Sequence, residues 1–345
     1  MRAAAGKYRQ RNSHAIWRAH AESASHPMSE ISVSATSTVD ERPAKFSASD
    51  GTALTGTWFE PSPPRIATTV VVIVCGAGIP ARFYHHFARY LCECGAAVLT
   101  FDYRGIGVSR QGNLRKLKSG MEDWAVLDIP AAFAEARARY PRLPLGAVAH
   151  SVGTLLLGAA PDASRIKRLI FFGPHTGYWR DYGARWRWLL YGVWHVSMPA
   201  VTKVVGYFPG KRFRLGEDLP RQVALDWAGR RRPELGRNVE EARRFRLILS
   251  RYREIRAKTL VLSITDDAFA PPAAARRVLS LYPHLVVTHE TIAPATLGCG
   301  RLGHLGFLRR PASEFFWRRA AAWLITPNVG DEPKTTTQAA QSPNR

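Results

Sequence analysis

Ser151 has the strongest chemical case of any residue in this sequence because of what flanks it. Leu145 to His150 is a short apolar run, Thr154 to Leu157 continues as a helical pattern, and Ala149 and Gly153 are small residues two positions either side of the serine. A strand that turns directly into a helix brings those two positions against neighbouring backbone and thrusts the serine hydroxyl outward, so small-x-Ser-x-Gly fits a tight elbow. Ala149 stands where glycine is usual, and a methyl group is the least obstructive substitute. Taken alone, Ser151 also reads as a helix cap. A serine hydroxyl is a poor nucleophile at neutral pH, and it needs a base to take its proton and a carboxylate to hold that base in one tautomer. Asp266, Asp267 and His304 lie further along the chain, each after an apolar run, and could supply those groups. Of the eleven histidines, His85, His86, His150 and His175 also fall near strand ends, where they read as packing or substrate-shaping residues.

The elements that would position these groups follow from hydrophobic patterning. Lys45 to Phe59 gives two extended runs around Asp50-Gly51, a turn dipeptide that predicts an antiparallel hairpin. Ala67 to Cys75, Ala96 to Phe101, Pro144 to Ala149 and Lys258 to Ile264 read as buried strands, and Arg168 to Phe172 and His284 to Thr291 as further strands. Helices are predicted from Arg82 to Cys94, Glu122 to Tyr140, Ala273 to Leu281 and Ala312 to Leu324. Strands alternating with helices mean a largely parallel sheet, whose carboxyl edge gathers the ligand-binding loops. Ser151, Asp267 and His304 all fall on loops that leave a strand at that edge.

Gly76-Ala77-Gly78 after one strand, Asp102-Tyr103-Arg104-Gly105-Ile106-Gly107 after the next, and Ser151 at the elbow together resemble the α/β-hydrolase family over residues 45 to 325. The resemblance is nearest to bacterial hydrolases of the serine aminopeptidase-like group. It implies an α/β fold with a mostly parallel central sheet, an opening antiparallel hairpin and an inserted helical lid. The family order Ser, Asp, His implies a triad of Ser151, Asp267 and His304. Asp267 is preferred to Asp266 because the acid commonly stands four residues before a proline, here Pro271; the choice between the two aspartates stays open. The backbone N–H groups of Val152 and Ala77 are the implied oxyanion donors. Arg104 is read as structural, holding the loop beside the site. The implied activity is cleavage of an ester or related acyl bond in a small molecule through an acyl-enzyme, needing neither metal nor nucleotide. The alternatives are an aminopeptidase-like peptidase, which would need a carboxylate cluster for the substrate amine, and a catalytically silent binding protein on the same fold.

Domain organisation is read as follows. Residues 1–40 form a disordered basic arm, 41–177 and 258–325 the hydrolase core, 178–257 a helical lid rich in Trp and Arg, and 326–345 a disordered tail. The arm has the balance of an organellar transit peptide, and equally that of an over-extended start preceding Met28. In the lid, Trp186, Leu189, Leu190, Val193 and Trp194 share one helical face and are expected to pack on the core, while Trp186, Trp194 and Tyr84 are the candidate substrate-binding aromatics.

The 345 residues are 46% apolar, enough for one large core, and carry a formal charge of +22. Such a charge invites a nucleic-acid reading, but arginine is spread along the whole chain and no nucleic-acid-binding motif accompanies it. No specific nucleic-acid partner is expected. Four cysteines without paired Cys-x-x-Cys spacing predict free thiols, no zinc site and a reducing, cytoplasmic setting. No run of about 18 apolar residues predicts a transmembrane segment.

Overall fold

The structure is a computed structural model that describes residues 39–63, 66–229, 239–310 and 312–325. Its centre is an eight-stranded sheet in the order β1-β2-β4-β3-β5-β6-β7-β8. Strands β1 (Val39–Ser47) and β2 (Ala53–Pro61) form the hairpin expected around Asp50-Gly51, and β2 runs antiparallel to its other neighbour, β4 (Ala96–Phe101). All remaining pairs are parallel: β3 (Thr69–Val74), β5 (Leu145–His150), β6 (Arg168–Phe172), β7 (Lys258–Ile264) and β8 (Val286–Ile292). β3, β4 and β5 are buried at every residue, as a parallel sheet covered on both faces requires. The opening strand begins at Val39, slightly earlier than the arm boundary read from the sequence; residues 1–38 and 326–345, where the arm and tail were expected, lie outside the described residues.

Helices α1 (His85–Glu93), α2 (Ile129–Arg139), α3 (Gly153–Ala159), α8 (Pro272–Ser280) and α9 (Ser313–Ile325) cover the sheet. Between β6 and β7 stand α4 (Ala184–Gly192), α5 (Met198–Val205), α6 (Arg221–Gly229) and α7 (Val239–Glu254). The predicted lid is not uniform. Trp179, Tyr182 and Trp194 form a cluster of their own, whereas Met198, Phe208, Leu219, Val223, Ala224, Tyr252 near the end of α7 and Ile255 just after it belong to the main core, where the Tyr252 hydroxyl donates to the Leu155 carbonyl at 2.6 Å.

α2 continues a helical stretch from Met121 through a π turn at Trp124–Asp128. The wide turn sets the Asp128 carboxylate against Arg104, which donates from its backbone N–H at 2.9 Å and from Nε at 2.6 Å. Arg104 also reaches Asp50 in the hairpin at 2.6 Å, and Trp124 donates to the Arg104 carbonyl at 3.1 Å while stacking on Tyr103. A buried guanidinium shared by two carboxylates ties the loop after β4 to both the hairpin and α2. None of the four cysteines is joined in a disulfide.

Candidate active site

The elbow is built by β5 running into α3 with Ser151 at the bend. Ser151 has φ +59°, a left-handed conformation that costs a non-glycine residue about 1–2 kcal/mol. It is held there by its own backbone: Ser151 N–H donates to the Phe172 carbonyl at 2.9 Å, and Thr154 donates to the Ser151 carbonyl from its N–H at 3.1 Å and its hydroxyl at 2.6 Å. Gly153 has no room for a side chain, because a Cβ would meet the carbonyls of Cys75 and Val74 at 2.7 and 2.8 Å. The small residue after the serine is therefore fixed by the close approach of α3 to the end of β3.

At the end of β7, Asp267 and Asp266 divide their tasks. Asp267 Oδ2 accepts from His304 Nδ1 at 2.7 Å, while its Oδ1 accepts the N–H groups of Phe269 and Ala270 at 2.8 and 3.1 Å. Asp266 accepts the N–H groups of Leu302 and Gly303 at 3.0 and 2.9 Å, pinning the loop that carries His304. Gly173, at the end of β6, lies beneath this pair, where a Cβ would stand 2.9 Å from the Asp267 carboxylate and 3.1 Å from the His304 ring. With Nδ1–H given to a carboxylate, the lone pair of neutral His304 is on Nε2.

The partner of Ser151 differs from expectation. Ser151 Oγ lies 2.7 Å from Nε2 of His175, a residue grouped from sequence with the packing histidines. β6 ends at Phe172, the chain turns at Gly173, and the next residues carry the His175 ring over the serine. Nδ1 of His175 accepts the Gly177 N–H at 3.1 Å, so this hydrogen-bond network assigns the ring hydrogen to Nε2, which donates to Ser151 Oγ. His175 in that tautomer cannot take the serine proton. The His175 and His304 rings are adjacent, with centroids 5.6 Å apart. The only sequence signal for His175 was its place just after a strand at the carboxyl edge of the sheet.

His150, the residue before the serine, joins the parts. Its Nδ1 accepts the Tyr84 hydroxyl at 2.7 Å, that hydroxyl in turn accepts the Gly76 N–H at 3.1 Å, and His150 Nε2–H donates to the His304 carbonyl at 3.3 Å. Burial pushes His150 well below the ordinary histidine range and the Tyr84 hydroxyl well above the usual phenol range, so both stay neutral. One chain of hydrogen bonds thus links the Gly76-Ala77-Gly78 loop, the elbow and the His304 loop. The N–H groups of Ala77 and Val152 donate to no other group among the described residues.

The candidate aromatics are dispersed. Tyr84 is fully buried and offers a substrate no surface, because its hydroxyl is spent on Gly76 and His150. Trp194 is buried with Trp179 and Tyr182, and packs edge-on against Trp227, which lies edge-on to His175 at 5.7 Å. Trp186 points outward, 57% exposed. Among the described residues no group of His, Cys, Asp or Glu is placed to hold a metal ion, and no helix is long and apolar enough to cross a membrane.

Residues 65–293 match the family described as serine aminopeptidase, S33. No curated protein matches the chain. Among solved structures, a lipase in its open form superposes with a TM-score of 0.54 at 14% identity, covering 83% of this chain and 98% of the lipase. An esterase from Pyrococcus furiosus gives 0.52 at 16% identity over 83% of this chain and 91% of its own. A carboxyl esterase from Bacillus coagulans gives 0.51 at 14% identity over 84% and 100%. Likeness at that identity shows the α/β-hydrolase fold, which hosts many chemistries.

Proposed function

Because the chain belongs to the serine aminopeptidase (S33) family of α/β hydrolases, we propose that it is a serine hydrolase that cleaves an ester or related acyl bond of a small molecule through an acyl-enzyme. The observation that carries this reading is the Asp267–His304 hydrogen bond of 2.7 Å on the same edge of the sheet as Ser151 in its left-handed elbow. In this mechanism the Ser151 hydroxyl turns its own hydrogen toward His304 Nε2 while its oxygen continues to accept from His175 Nε2–H. Its proton passes to that nitrogen as Oγ attacks the acyl carbon, and Asp267 stabilises the imidazolium. The tetrahedral oxyanion takes the N–H groups of Val152 and Ala77, which have no other acceptor among the described residues. Collapse returns the proton from His304 to the leaving group, and water repeats the cycle on the acyl-Ser151 ester. His175 keeps its Nε2–H directed at Oγ and stabilises negative charge developing there.

A non-catalytic binding protein is the reading favoured by one observation, the pairing of Ser151 with His175 instead of His304. Turnover of a short p-nitrophenyl ester separates the two. The hydrolase reading expects saturable hydrolysis that falls by a factor of about 10³ or more in Ser151→Ala; equal rates for the two proteins would overturn it.

A further inference from the structure

Residues 184–205 form one continuous helical segment, α4, a π turn at Val193–Ser197 and α5, about 33 Å long at the helical rise. Trp194, His195, Met198 and Thr202 face inward and are buried. A surface helix ordinarily carries polar residues on its other face. Here the outward face presents Trp186, Leu189, Val193, Val196 and Val204, with exposures from 37% at Val193 to 88% at Val204, and Trp188 is exposed beside them. The chain that follows, Lys211-Arg212-Phe213-Arg214-Leu215, is exposed throughout and alternates cations with apolar side chains.

Charge decides what covers this face. Residues 182–216 contain six Arg or Lys and no Asp or Glu. The acidic residues bordering the segment are already neutralised: Asp181 by Arg277 at 2.8 Å, Asp218 by Arg110 at 3.8 Å, and Glu217 by Lys211, one of the six, so that five cations of the segment remain for an anionic surface. A second copy of a chain bearing +22 would bring like charge against like charge. An anionic bilayer supplies the opposite charge and an apolar layer together. Exposed Trp suits the interfacial zone of such a surface, and each cation held near it adds about 1 kcal/mol. We propose that the outward face of α4 and α5, with the 211–215 segment, docks the protein on an anionic lipid surface, lying in the interface without crossing it.

Co-sedimentation of the full-length chain with vesicles tests this. Phosphatidylcholine vesicles containing about 30 mol% phosphatidylglycerol are expected to carry the protein down at low salt. Vesicles of phosphatidylcholine alone are expected to bind at least ~10-fold more weakly, as the cation contribution implies. Leu189→Glu with Val196→Glu replaces two exposed side chains, so the fold is expected to persist by circular dichroism while partitioning to anionic vesicles falls ~10-fold or more. Lys203→Glu with Arg214→Glu is expected to lower it and to weaken its salt dependence. Failure to sediment with anionic vesicles would overturn the proposal, as would equal binding by the Leu189/Val196 variant. A wild-type dimer in sedimentation velocity that this variant dissolves, without vesicle binding, would assign the face to a second copy. Ser151→Ala is expected to bind vesicles as the wild type does, keeping this test separate from that of the activity.

Discussion

Asp267→Asn is the substitution whose effect the geometry specifies most closely. Asp267 is buried and uses both oxygens, Oδ1 for the Phe269 and Ala270 N–H groups and Oδ2 for His304 Nδ1. In an asparagine of the same shape the amide oxygen must stay with the two backbone donors, since turning the NH₂ toward them would set donor against donor in a buried place. The NH₂ is thereby directed at His304 Nδ1. The imidazole answers by moving its hydrogen to Nε2, the nitrogen that accepts the Ser151 proton in the proposed mechanism. Loss of the correct tautomer in a serine triad costs a factor of about 10⁴ in kcat, equivalent to about 5.5 kcal/mol of transition-state stabilisation. Folding stability is expected to fall by only about 1–3 kcal/mol, the cost of one charge-assisted buried hydrogen bond. Steady-state hydrolysis of a p-nitrophenyl ester, with thermal unfolding as control, reads both quantities. A folded Asp267→Asn enzyme retaining kcat within tenfold of the wild type would refute the assignment of His304 as the base.

Three further outcomes follow from the same contacts. Tyr84→Phe strands the Gly76 N–H and His150 Nδ1 in the core, so unfolding free energy is expected to drop by about 1–3 kcal/mol in denaturant titration; an unchanged midpoint would contradict the relay. His150, held neutral by burial, binds a proton more readily in the unfolded chain than in the folded one, so its stabilising contribution is complete above the ordinary histidine pKa and is lost as pH falls below it. The wild type is expected to lose stability between pH 6 and 5 by up to about 1.4 kcal/mol per unit more steeply than His150→Gln, a difference absent if that histidine is protonated in the native state. Residues 178–257 hold eighteen Arg or Lys against eight Asp or Glu; if this field steers an acyl substrate bearing an anionic group, kcat/KM for an anionic ester should exceed that for a neutral ester of equal chain length and the advantage should fade as salt shortens the Debye length toward about 8 Å. Equal rates at every ionic strength would leave the charge without a role in recognition.

The strands were the most legible part of the fold. Ala96–Phe101, Arg168–Phe172 and Lys258–Ile264 have the limits read from the sequence, because a continuous apolar run in a parallel sheet has only one place to go. The elbow at Ser151 and the loops bearing Asp267 and His304 were legible for a related reason, since each leaves a strand at the same edge. Side-chain partners were not. Nothing in the spacing says that His175 is the residue turned onto Ser151, because that depends on how the chain bends at Gly173. Nor does it reveal that Tyr84 spends its hydroxyl inside the core. In the lid, Trp186, Leu189, Leu190, Val193 and Trp194 follow one helical stripe, but periodicity cannot say which side faces in. Trp194, in the π turn at Val193–Ser197, is buried with Trp179 and Tyr182, and Leu190 packs half-buried against that cluster, while Trp186, Leu189 and Val193, expected to pack on the core, stand in solvent.

The central claim is that Ser151 is the nucleophile, activated by His304 with Asp267 behind it. Labelling the native protein with a fluorophosphonate and mapping the modified peptide tests it most directly. The account predicts one adduct per chain, on Ser151, formed at a rate that collapses in His304→Ala. Absence of an adduct on Ser151, or labelling there that proceeds undiminished without His304, would contradict it.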